Sequence, residues 1–92
     1  MQVTSSHNIA GGRIHHAIGY LKACAIWRAA GAASEADRAA ALKGLIREAE
    51  DYEADAIIGL DFEIDRVSSA DIGAVPLQRV AATGIAVKFA LA

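Results

Sequence analysis

Hydrophobic and polar positions change their rhythm between Asp55 and Phe89, and that change carries most of what the chain discloses about its fold. Ile58, Leu60, Phe62 and Ile64 alternate with Asp61, Glu63 and Asp65, which predicts a strand with one dry face and one wet, acidic face. From Leu77 to Phe89 the pattern differs. Val80, Ala82 and Ala86 fall on one face and Ile85, Val87 and Phe89 on the other, so this strand is expected to be covered on both sides. Upstream, from Glu35 to about Glu53, Ala39, Leu42, Leu45, Ile46, Ala49 and Tyr52 recur at spacings of three and four opposite Arg38, Lys43, Arg47, Glu48 and Asp51. That stripe predicts one amphipathic helix, started by Ser34 with Asp37 as a short-armed capping box. Arg13 to Trp27, with Ile14, Ile18, Tyr20, Leu21 and Ile26, predicts a first strand whose second half also reads as helix. Residues 1–12, ending in Gly11-Gly12, read as a loop or edge segment. Val67 to Pro76 reads as a turn-rich connection whose proline suits a strand start.

The predicted order is strand, helix, strand, strand, with a hairpin joining the last two and a right-handed crossover if the strands flanking the helix run parallel. One helix shields one face of a sheet. In a chain of 92 residues the second apolar face is therefore expected to be covered by another copy, and assembly is the main inference from the pattern.

Composition narrows the function. The hydrophobic fraction of 54% is inflated by alanine and aromatics make up 5%, so the core is expected to be thin. A net charge of −2, from 9 basic and 11 acidic residues, gives no basic footprint for nucleic acid. Cys24 is the sole cysteine, which excludes an intrachain disulfide and a four-thiolate metal site and fits a reducing cytoplasm. The start Met1-Gln2-Val3-Thr4-Ser5-Ser6 lacks the charge and apolar run of a secretory signal. No apolar run approaches the roughly 18 to 20 residues of a membrane span. A soluble cytoplasmic protein, with neither nucleic acid nor membrane as partner, is expected.

Ala49, the block Ala54-Asp55-Ala56-Ile57-Ile58-Gly59-Leu60-Asp61 and the block Val80-Ala81-Ala82-Thr83-Gly84-Ile85-Ala86-Val87-Lys88 resemble the YbjQ family of heavy-metal-binding proteins. Thr4-Ser5-Ser6, Gly11 and the stretch from Ile14 to Leu21 are similar to that family's opening strand. The resemblance implies a dodecin-like β-α-β-β subunit of bacterial type, last strand central, assembled as a homopentamer, with no established catalytic residues. The chain departs from the family in the short stretch from Cys24 to Ser34, and in Glu53, where the family has a helix-ending glycine. A left-handed Glu53 costs on the order of 1 kcal/mol unless the helix ends another way.

Candidate chemistry is thin. His15-His16 offers imidazoles for Zn, Cu or Ni, but neighbours in a strand point to opposite faces, so chelation requires one histidine from each of several copies. His7 and Cys24 have no spacing that marks a site. Glu48, Glu50, Asp51, Glu53 and Asp55 crowd the helix end, where the dipole disfavours them. They suit a hard cation better than a soft one, with Arg47 placed to offset Asp51 and Asp55 readable as a turn residue bonding nearby amides. A solvated acidic face is the plainer reading. Asp61, Glu63 and Asp65 form an acidic row expected to be exposed or paired with Arg66, Arg79 or a neighbouring copy. Cys24 is expected to be a buried structural thiol, the alternative being a reactive one activated by Lys22 and Arg28. Tyr20, Trp27 and Phe89 are too scattered for base stacking. There is no nucleophile motif, GxGxxG or P-loop.

The expected protein is thus a single domain over residues 1–92, α+β, a two-layer subunit with one helix packed on a three-stranded antiparallel sheet, built into a homo-oligomer. Its expected role is non-enzymatic, binding a metal ion by resemblance, with a small organic ligand or cofactor at subunit interfaces as the alternative. No catalytic or cofactor-binding residue is assigned, and the metal ligands and the cofactor stay unknown.

Overall fold

A computed structural model describes residues 1–7, 14–29, 35–67 and 76–89, the side chain of His15 excepted. The chain is α+β, with strands β1 (Gln2–Val3), β2 (Ile14–Cys24), β3 (Arg28–Ala29), β4 (Ala56–Val67) and β5 (Leu77–Phe89), and one helix, α1 (Glu35–Asp51). The Gly11-Gly12 turn, the Ser34 cap and the connection from Ser68 to Val75 lie outside the described residues.

The sheet is five-stranded and mixed, in the order β1-β4-β5-β2 with β3 also on β5, not three-stranded and antiparallel as expected. The two extra strands are two residues each, too short for any alternation to reveal. β1 lies parallel to β4. It is held beyond its two residues by the Leu60 N–H on Thr4 O at 3.0 Å and the Gly59 N–H on Ser6 O at 2.8 Å. The last strand is central, as the resemblance implies: β5 is antiparallel to β2, β3 and β4.

Alanine sets the helix-to-sheet distance. Ala41, Leu45 and Ala49 are fully buried against Leu21, Ile57, Val80, Ala82 and Ala86. At Gly84 an added Cβ would stand 2.5 Å from Ile57 Cγ2 and 3.7 Å from Leu45 Cδ2, so this glycine permits the close approach. The buried line on α1 is Asp37, Ala41, Leu45 and Ala49. The expected stripe was centred differently: Leu42 and Ile46 are half-buried, and Ala39 and Tyr52 are exposed.

The helix ends as a Schellman turn, with the Glu53 N–H on Glu50 O at 2.9 Å and the Ala54 N–H on Ala49 O at 3.0 Å. Glu53 adopts φ 58°, the left-handed conformation that glycine takes at lower cost.

Gly59, at φ 62°, introduces a bulge. Ile58 stands opposite Ile85 but Asp61 stands opposite Thr83, one residue out of step. The bulge corrects the simple alternation. Ile57, Leu60 and Phe62 pack on the helix side, whereas Ile58 joins Ala56, Val87, Ile85 and Phe89 in a second cluster on the opposite face. The two-faced reading of β5 therefore holds, but Val87 is fully buried by its own chain while Ile85 and Phe89 are half-buried. Val87 is not a surface that waits for a second copy.

Candidate functional site

Cross-strand register places Lys22, Glu63, Asp65 and Arg79 together on the open face, away from α1. Lys22 Nζ lies 3.4 Å from Glu63 and 3.2 Å from Asp65, and Arg79 Nε lies 3.1 Å from Asp65. The Arg79 guanidinium also sits 4.4 Å from the centroid of Trp27. Bonds from Arg79 and then Lys22 hold the Asp65 carboxyl below its usual range, and Asp65 raises the Lys22 ammonium. Sequence spacing anticipated Arg79 as a partner of the acidic row but missed Lys22, which is brought in across β5 from β2. Asp61 takes no cation among the described residues and accepts the Phe62 N–H at 2.8 Å.

The other candidates do not converge. His7 and His16 are exposed, and the ring of His7 lies over Gly59, with Nε2 3.0 Å from where a Cβ would stand. Cys24 is exposed at the end of β2, contrary to the expected burial, because its strand forms the outer edge of the sheet. At the helix end, Asp55 accepts the Phe89 N–H at 2.8 Å, tying α1's exit to β5 across 34 residues instead of bonding nearby amides. Glu53 reaches Lys88 only at 3.9 Å. Among the described residues, no three His, Cys, Asp or Glu side chains are grouped to hold a metal ion. The described donors of one chain therefore do not fit a metal.

Two features escaped the sequence reading. Arg28 on β3 clasps Asp37 through Nε at 2.9 and 2.7 Å, which explains a buried acid on the helix's inner line. A groove of about 230 Å³ between α1 and β4 is lined by Glu35, Arg38, Ala39, Leu42 and Phe62. The Arg38 guanidinium stands 5.0 Å from the Phe62 centroid there.

Residues 28–90 match the profile of the YbjQ family, described as "Putative heavy-metal-binding". The chain belongs to the YbjQ family. A crystal structure of a protein of unknown function from Pediococcus pentosaceus, of the DUF74 family, superposes with a TM-score of 0.67 over 98% of both chains at 21% identity. The shared architecture spans nearly the whole YbjQ-family chain. No curated protein sequence matches it. Among the described residues no helix is long and apolar enough to cross a membrane.

Proposed function

We propose that this YbjQ-family chain is the subunit of a homo-oligomer, five copies by the family resemblance, that catalyses no reaction and binds its ligand between copies. The observation that carries this reading is apolar surface left bare at one end of the sheet. Ile26, Trp27, Ile64, Val67 and Leu77 are 65%, 38%, 49%, 48% and 39% exposed. The geometry has a simple cause. A 13-residue strand such as β5 runs about 43 Å, while a 17-residue helix covers about 26 Å of it. The radius of gyration is 15.7 Å. A compact domain of this length has about 12 Å. Extended subunits with bare apolar ends gain stability by packing on one another.

The family description supports a metal ion as ligand. Because one chain gathers no adequate donor set among its described residues, the ion's ligands come from more than one copy in this reading. Isothermal titration of the assembled protein with Zn, Cu, Ni and Co tests it: saturable heat with at least one ion is expected, and none with all four overturns it. An organic ligand in the α1–β4 groove is the weaker reading, since about 230 Å³ falls below the roughly 300 to 1,000 Å³ of sites for drug-sized molecules. Unchanged Trp27 fluorescence on flavin addition would count against that alternative.

A further inference from the structure

We propose that the groove between α1 and β4 takes a free aromatic carboxylate of a single ring, with Arg38 receiving its charge. The groove is built within one chain, so this site depends neither on the assembly nor on the metal ion proposed above.

Three local choices in the sequence make the groove. Glu35, Arg38, Ala39 and Leu42 follow one another at spacings of three and four, so one flank of α1 presents all four side by side. Ala39 is the small member, and its short side chain leaves the hollow. Phe62 supplies the floor. The bulge at Gly59 brings Leu60 and Phe62 to the helix side of β4, where Phe62 and Leu42, both half-buried, form an apolar wall.

Charge complementarity selects the occupant. The Arg38 guanidinium lies over the Phe62 ring, 5.0 Å from its centroid, so a flat face is spent on the ring while the in-plane N–H fork is not. Among the described residues its ion pair is with Glu35, Nη1 to Oε1 at 3.8 Å, which is too long for a hydrogen bond. The Glu35 side chain is 91% exposed, and a pair of that kind is worth little. Asp37, the acid adjacent to Arg38 in sequence, is buried and held by Arg28. The fork therefore has a bidentate seat that no acid of the groove fills, and a carboxylate carried by a ligand matches it. Volume sets the size. About 230 Å³ is too small for a drug-sized molecule and suits one ring, which is rigid, gives up little conformational freedom and packs beside Phe62 in an offset or edge-on arrangement.

Amide NMR on the full chain tests this with phenylacetate and its neutral isostere phenylacetamide as probes. Phenylacetate is expected to give saturable shifts centred on Arg38, Ala39, Leu42 and Phe62, and phenylacetamide to bind about ten-fold more weakly or worse, because it cannot make the charged bond. Arg38→Gln should bring the two probes to the same weak level. Ala39→Leu fills the hollow from an exposed position and should abolish both. Glu35→Gln removes a like charge from the rim and should tighten phenylacetate by up to about five-fold. No saturable shift in the wild type, shifts centred elsewhere, equal binding of both probes, a preference that survives Arg38→Gln, binding that survives Ala39→Leu, or weaker phenylacetate binding by Glu35→Gln overturns the site. Far-UV circular dichroism checks that each variant is folded, and where Ala39→Leu unfolds, Ala39→Val is read in its place.

Discussion

Gly59→Ala isolates the bulge that decides which side chains face the helix. At φ 62° the glycine occupies the left-handed region, where a Cβ costs roughly 1 to 2 kcal/mol. The added methyl also meets His7 Nε2 at 3.0 Å, but that ring ends an exposed side chain and swings aside at small cost. The expected loss is therefore about 1 to 2 kcal/mol, nearly all from the backbone. For a domain of this size each kcal/mol lowers Tm by roughly 4 to 8 °C, so a drop of about 4 to 16 °C is predicted. Urea unfolding and calorimetry should be run at one fixed protein concentration, because the proposed assembly would make Tm concentration-dependent. His7→Ala combined with Gly59→Ala separates the two causes. The double variant should keep the backbone loss, with a coupling below about 0.5 kcal/mol. A Gly59→Ala protein as stable as wild type, or one fully rescued by His7→Ala, would refute the assignment of the cost to the bulge.

Gly84→Ala drives a methyl to 2.5 Å from Ile57 Cγ2 and 3.3 Å from Ile58 O, and overpacking of this kind is expected to cost about 1 to 3 kcal/mol by urea unfolding. Glu53→Gly relieves the left-handed strain at the helix end and should stabilise the fold by up to about 1 kcal/mol in the same assay. Arg28→Ala removes the clasp on buried Asp37 and should cost roughly 1 to 3 kcal/mol, the upper part of the usual range for buried pairs being lost because Arg28 is half-exposed. The Asp65 carboxyl is held below its unfolded value of 3.8, so its contribution is complete above that pH and disappears as pH falls through the lower folded value. Asp65→Asn should accordingly flatten the loss of stability below about pH 4. Lys22, raised above 10.5, contributes fully below that pH and loses its contribution as pH rises through the folded value, which Lys22→Met should abolish in an alkaline titration.

Long periodic segments were legible. β5 occupies Leu77–Phe89, the span its pattern predicted, and its two apolar faces separate into the two clusters. The helix begins at Glu35 and ends at Asp51, two residues before its predicted end, because Tyr52 and Glu53 close the turn. What the sequence hid was non-local. β1 and β3 are two residues each and exist only through their partners on β4 and β5. Gly59 shifts Ile58 to the far side, which no strict alternation can announce, although a glycine inside a strand pattern is the available signal. Helix packing tilted the buried line onto Ala41, since small side chains make the closest approach. At the site, the acidic row and Arg79 were readable, whereas Lys22 joins them only because β5 carries β2 alongside β4. The expected burial of Cys24 failed for the same reason, its strand being an edge.

The central claim is that one subunit leaves its sheet incompletely covered and is completed by copies of itself. The molar mass of the wild-type chain in solution, by light scattering across a micromolar concentration series, tests it most directly. A single species at a whole-number multiple of 9.6 kDa, five-fold by the family resemblance, is predicted. A mass of 9.6 kDa at every concentration would contradict it.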